Sequence, residues 1–273
     1  MNVSPNAEAS EAAQIAALPP AAPQAPATRT IGKPTVPLTE RDKPAVTAGP
    51  RAIDSFAVPF ANPDGKPRMA IVLIDRGDNP VGLEALRAFP YPLTFAVDPS
   101  RADAAAAMAR YRAAGFEVMA LTDLPAGATA PDVEQALASI LTTLPESVAV
   151  MEGDRSGVQA TKVAADQVTA MLADSGHGAV FLPKGLDTAR KLAEKAGVPA
   201  ATIFRDFDSE GQDAGTIRRF LDQAAFKAGT DDAGVIMLGR LRPETISALL
   251  LWGLQDRAAR VALAPVSAVL RGE

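Results

Sequence analysis

From Arg68 onward, short runs of continuously apolar residues alternate with longer amphipathic stretches, and this alternation limits the folds open to the chain. The runs are MAIVLID (69–75), PLTFAVD (92–98), FEVMALT (116–122), SVAVME (147–152), GAVFLP (178–183), ATIFRDF (201–207), GVIMLG (234–239) and RVALAPV (260–266). Each is too short for a stable helix and almost unbroken in hydrophobicity, as a strand covered on both faces is. The stretches between them carry helix punctuation. NPVGLEALRAF offers Asn79 as an N-cap and Pro80 in the first turn, APDVEQALASILTTL puts a proline first, and RPETISALLLWGLQ follows a proline with a glutamate. DAAAAMARYRAAG, KVAADQVTAMLADSG, LDTARKLAEKAG and AGTIRRFLDQAAFKAG all close on glycine, the residue best suited to a left-handed stop. Strand and helix alternating with short connections predict right-handed βαβ units, and eight parallel strands of this kind most simply close into a barrel. An open doubly wound sheet is the other architecture, but no glycine-rich phosphate fingerprint follows any strand.

Residues 1–60 lack the pattern. AALPPAAPQAPATRTIGKPTVPL is dense in alanine and proline, which favours extended polyproline conformations over a packed core. The stretch reads as a disordered or extended linker ahead of a domain spanning 66–273, with AIDSFAVPFANP (52–63) as a segment that could dock on it. No segment reaches the ~20 apolar residues of a membrane span, and the N-terminus lacks the basic-then-apolar order of a signal peptide. A formal charge of −5 and a pI near 5.1 argue against nucleic acid as a partner, because phosphates need a basic face.

The chain has no cysteine, so a disulfide framework, a thiolate zinc site and a cysteine nucleophile are all excluded. Its one histidine, His177, excludes a multi-histidine metal site. Lying in DSGHGAVF without a nucleophile elbow, it reads as a solvated loop residue. Trp252, among leucines in LLLWGL, reads as a helix-packing side chain, and the methionines as gap fillers.

Ligands of parallel α/β folds bind beyond the carboxyl ends of the strands. Those ends carry Asp75, Arg76 and Asp78; Asp98; Asp123; Glu152, Asp154 and Arg155; Lys184; Arg205, Asp206 and Asp208; and Arg240 and Arg242. Carboxylates alone would favour hard Mg²⁺ or Ca²⁺ over zinc. The interleaved arginines point instead to internal ion pairs, since they neutralise acids directly and repel a metal. No metal and no cofactor is implied.

From residue 66 onward the chain resembles the divergent polysaccharide deacetylase family, relatives of the NodB-type carbohydrate esterases. AIVLIDRGDNP is similar to that family's A-I-V-I-D-D-L-G-x-N-P, PLTFAVDP to P-L-T-F-A-V-x-P, and AAGFEVMALTDLP to A-x-G-H-E-V-L-L-H-L-P. GRLRPETI is similar to G-H-P-R-P-E-T-I, and ALAPVSAVL to L-V-P-V-S-x-L, in the same order. The resemblance implies an irregular (β/α) barrel of seven to eight parallel strands. It also implies a bacterial, periplasmic or cell-envelope location, and a glycan or an envelope protein as partner.

The departures from the family pattern bear on function. Of the family's paired aspartates, which supply a base and a metal ligand, the first position holds Ile74 and the second Asp75. The N-N-H-M-G-S segment aligns with residues 151–156, placing Gly153 at the histidine that resembles a metal ligand of the wider esterases. Leu182-Pro183-Lys184 replaces V-D-S, Arg240 replaces the histidine of G-H-P, and Asp123 lies near the missing histidine of H-L-P. Metal-assisted deacetylation needs a polarising ion, a base and an acid, and each ~1.4 kcal/mol of lost barrier reduction is tenfold in rate. The expectation is a barrel without that chemistry, with Arg240 or Arg76 in the vacated metal position paired to Asp75. In this reading Asp75 is the candidate catalytic residue, and Asp123, Asp154, Arg240 and Arg242 bind substrate. A carboxylate-based hydrolase using Asp75, Asp123 or Asp154 as acid and base is the alternative.

Overall fold

The computed structural model describes residues 50–78 and 82–273, so Asn79 and Pro80 lie outside the described residues. In chain order the elements are α1 (Ala52–Ser55), β1 (Arg68–Asp75), α2 (Leu83–Arg87), β2 (Thr94–Val97), α3 (Ala104–Ala113), β3 (Glu117–Thr122) and α4 (Ala130–Thr143). There follow β4 (Ala149–Glu152), α5 (Lys162–Ser175), β5 (Gly178–Phe181), α6 (Thr188–Lys195), β6 (Ala200–Thr202), β7 (Arg205–Asp206) and α7 (Ala214–Ala228). The chain ends with β8 (Val235–Arg240), α8 (Pro243–Gly253), β9 (Ala262–Leu263) and α9 (Val266–Arg271).

Every strand pairing is parallel, in the order β6-β5-β4-β3-β2-β1-β8-β7. The expected strand over 201–207 is split. Ile203 donates its N–H to Phe181 on the β5 side (2.8 Å), and Phe204 donates to Ile236 on the β8 side (2.8 Å). One extended stretch thus passes its pairing from β5 to β8, and the sheet closes into an irregular (β/α) barrel. The last expected strand shrinks to β9, two residues beside the start of β1. Pro265, which has no N–H for a ladder, caps α9 instead.

Period-two alternation sorts the strands into two cores. Val72, Ile74, Met119, Leu121, Met151 and Leu238 fill the barrel, while Ile71, Leu73, Phe95, Val118 and Val150 face the helices. The expected prolines open α4 and α8, whereas α2 begins at Leu83 behind Gly82 and not at Asn79 and Pro80. Side-chain caps hold the starts of α4, α5 and α7. Thr129 donates its N–H and hydroxyl to Asp132 at the head of α4, Thr161 Oγ1 accepts from Ala164, and Asp213 accepts from Thr216. Gly176 ends α5 at φ 71°, where a left-handed residue is required. Trp252 is fully buried on α8 and donates to Asp222 on α7.

The lower mouth of the barrel is covered by α9 and by residues 50–60. Ile53 is fully buried and donates its N–H to Gly176 O, and Phe56 and Phe60 pack against the inner core. Glu117, at the start of β3, accepts from Val58 N (2.9 Å), Ser267 N (2.9 Å) and Ser267 Oγ (2.5 Å). Burial pushes its pKa upward, against those hydrogen bonds. His177 also lies at this lower end. It is buried rather than solvated, because Gly176 and Gly178 pack closely against residues 51–53 and Leu270.

Candidate functional site

The upper rim assembles charges from six strand ends into two arrangements. Asp75 belongs to the first. It shares the helix-facing side of β1 with Ile71 and Leu73 and is only 4% exposed. Its Oδ1 accepts from Gly77 N (2.9 Å), and its Oδ2 accepts from the Tyr111 hydroxyl (2.7 Å) and pairs with Arg101 Nη1 (2.5 Å). Tyr111 stacks on Phe95 with ring centroids 4.0 Å apart; burial and the bond to Asp75 push its phenol further above its ordinary pKa. Gly77, at φ 83°, lies so near that a Cβ there would sit 3.1 Å from the Arg101 guanidinium. Both oxygens of the carboxylate are thus engaged beneath α3.

The second arrangement is a chain of ion pairs across the barrel mouth. Arg76 donates through Nη1 to Asp98 (2.7 Å) and Asp123 (3.0 Å), and through Nη2 to Asp154 (2.6 Å). Arg155 adds its backbone N–H to Asp123 (3.2 Å), and its guanidinium lies 3.5 Å from Asp98 and 3.2 Å from Asp123. The other oxygen of Asp154 lies 3.6 Å from Arg240, which also pairs with Asp206 (2.7 Å) and Asp208 (2.9 Å). Asp208 accepts from the Thr245 hydroxyl (2.6 Å), and Arg242 reaches it at 3.6 Å. Burial alone would raise the pKa of Asp98, but hydrogen bonds from Ser100 and Arg76 outweigh it and hold the group below the ordinary carboxylate range. Likewise burial pulls Arg76 and Arg240 down while their carboxylates raise them further. Glu152 stands apart, buried and bound to Lys184 (3.1 Å), Gln159 (2.5 Å) and Leu182 N (3.0 Å).

Asp123, Asp154, Arg240 and Arg242 therefore fall in one network, and Asp75 does not. The expected pairing of Asp75 with Arg76 or Arg240 is corrected: its partner is Arg101, because position 75 faces the helices while Arg76 reaches over the mouth. Arg101 and Tyr111 lie away from the strand ends, on the loop before α3 and on α3 itself. A signal for the second exists, since Tyr111 lies on the buried face of α3 with Ala104, Ala107 and Met108, where a hydroxyl needs a partner.

The family resemblance implies a metal, and the side chains present do not fit one. Among the described residues no group of three or more His, Cys, Asp or Glu is placed to hold an ion. The sole imidazole is at the far end of the barrel, and Arg76 occupies the space where Asp98, Asp123 and Asp154 converge. Beside this rim opens a cleft of about 540 Å³, with Asp98, Ser100, Asp123 and Arg155 at its polar edge and Leu124 and Ile140 on its apolar wall.

A family model described as divergent polysaccharide deacetylase matches residues 71–270. Among solved structures, an uncharacterised protein of Agrobacterium tumefaciens shares the fold, with TM-score 0.72, 19% identity, and coverage of 80% of this chain and 95% of that one. A lactam utilization protein of Thermus thermophilus aligns at TM-score 0.48 and 13% identity, over 72% and 99% of the two chains. The catalytic domain of a peptidoglycan N-acetylglucosamine deacetylase of Eubacterium rectale aligns at 0.42 and 10%, over 75% and 90%. Comparison with curated proteins gives no match.

Proposed function

The chain belongs to the divergent polysaccharide deacetylase family, and on that premise we propose that it is a non-hydrolytic member which binds a glycan, or scaffolds its partners, in the bacterial cell envelope. The observation that carries this reading is the state of Asp75. A general base needs a free lone pair within reach of substrate, and this carboxylate is buried with both oxygens engaged by Gly77, Tyr111 and Arg101. Ile74, at the neighbouring aspartate position of the family, is a hydrocarbon packed in the barrel. No imidazole stands at the rim to act as acid or ligand.

The cleft supports the binding half of the proposal. Its volume lies within the range of about 300–1,000 Å³ of small-ligand sites. Carboxylates and a guanidinium along one edge suit sugar hydroxyls, and the Leu124 and Ile140 wall suits the apolar face of a pyranose. Arg155, whose side chain is 66% exposed, is the rim guanidinium best placed to turn toward a ligand. The alanine- and proline-rich composition ahead of residue 50 is compatible with an envelope protein.

Titration of the full chain with chitooligosaccharides and peptidoglycan fragments, followed by calorimetry and assayed for acetate, tests the reading. Binding weakened by Ile140→Trp, which fills the cleft, with no acetate released, is expected. Release of acetate, or binding indifferent to that substitution, would overturn it.

A further inference from the structure

We propose that Arg76 is itself the resident cation of the rim: a guanidinium tethered to the end of β1, held in a carboxylate cradle shaped for a guanidinium and not for a metal ion. Three carboxylates from three consecutive strand ends, Asp98, Asp123 and Asp154, converge on its two terminal nitrogens at 2.7, 3.0 and 2.6 Å. The side chain is 21% exposed, so the cradle encloses it. A guanidinium is planar and offers several divergent N–H donors, which holds acids apart around it, whereas an ion would draw oxygens to about 2.0–2.6 Å around one point.

Gly153 is the second, independent observation. A Cβ built there would stand 2.0 Å from Asp123 Oδ1 and 2.7 Å from its Cγ. Any side chain at 153 and the present placement of Asp123 exclude one another. The bare residue at 153 makes room for the acid at 123, and that acid completes the cradle for Arg76. The three positions therefore form a unit, and a side chain restored at 153 alone would break the cradle without rebuilding a metal site.

The inference deepens the non-hydrolytic reading and fails separately from it. Acetate release without bound metal would end that reading and leave the role of Arg76 standing; a metal bound to the native cradle would end this one, whatever the glycan does.

The test is chemical rescue of the full chain, read by thermal unfolding. Arg76→Ala should lower the midpoint, and millimolar methylguanidinium, far below denaturing concentrations, should restore it. Millimolar Mn²⁺ or Ca²⁺ should not, and the wild-type midpoint should respond to neither probe. The rescue should vanish in Arg76→Ala/Asp123→Asn. Arg76→Lys should be destabilised almost as far as Arg76→Ala, because one nitrogen on a shorter side chain cannot stand where two separate guanidinium nitrogens meet the acids. One equivalent of divalent ion bound by the wild type, rescue of Arg76→Ala by metal in preference to methylguanidinium, or a wild-type midpoint in Arg76→Lys would each overturn the proposal. If Arg76→Ala does not fold, recovery of folded protein on refolding with methylguanidinium, but not with Mn²⁺, supports it, and failure with both overturns it.

Discussion

The carboxylate of Asp75 accepts from a buried phenol and a backbone amide and pairs with one nitrogen of Arg101, so removing it leaves the phenol and the amide without their acceptor and Arg101 with Asp103 alone. Asp75→Ala is expected to cost roughly 2–4 kcal/mol of stability, from two buried donors left unsatisfied at about 1–3 kcal/mol each, while Asp103 still neutralises Arg101. Denaturant unfolding measures this; a loss under about 1 kcal/mol would show that the carboxylate is not structural. Gly153→Ala should cost about 1–3 kcal/mol by overpacking against Asp123. Combined with Asp123→Ala, that cost should largely disappear, and additivity of the two single changes would refute the exclusion. His177 supplies a pH signature. Burial lowers its pKa from 6.5 to about 4, so the native state takes up a proton less readily than the unfolded chain. Stability is then fully present above the ordinary histidine pKa and falls as the pH drops toward about 4, by roughly 3 kcal/mol at most. Unfolding curves of His177→Gln across that window should lose this slope, and an unchanged slope would contradict the assignment. Strand parity explains which residues of the rim are legible in the sequence. Position 75 falls in step with Ile71 and Leu73, so its helix-covered orientation is present in the pattern; its partner Arg101, from the loop between β2 and α3, is not, because only the closed fold sets that contact.

At the scale of elements, the strands are legible wherever continuous apolar runs meet glycine or proline, as in β1, β3 and β8. The exceptions have physical causes. ATIFRDF reads as one strand, but its two halves bond to different neighbours, a consequence of closure that no local pattern encodes. The start of α9 reads as strand because its aliphatic run gives no period of its own. The strap over residues 50–60 looks like linker by composition, yet Glu117 ties it to α9. Glu117→Ala leaves three donors without an acceptor and should cost about 3 kcal/mol at the scale of 1–3 per buried unsatisfied group, with partial relief by water. Amide hydrogen exchange should rise over residues 52–60 and 266–271 while β1 and β8 stay protected. Exchange unchanged in the strap would show that its apolar contacts, Ile53 foremost, hold it without the carboxylate.

For the whole molecule, the barrel architecture separates two ends with different duties. The lower end is sealed by the strap and α9, and residue 50, where the described chain begins, lies at the end opposite the charged rim. The rim keeps the positions at which this fold presents chemistry, and fills them with arginine–carboxylate pairs. The proposed loss of hydrolysis follows from that exchange. The measurement that bears on it most directly is acetate released per chain from N-acetylated glycan, with and without added Zn²⁺ or Mn²⁺, alongside Asp75→Asn. The expected result is no release above a protein-free control by either chain under any metal condition. Turnover by the wild type at ordinary enzymatic rates, about 1–10³ per second, would contradict it, and its loss in Asp75→Asn would restore Asp75 as the catalytic group.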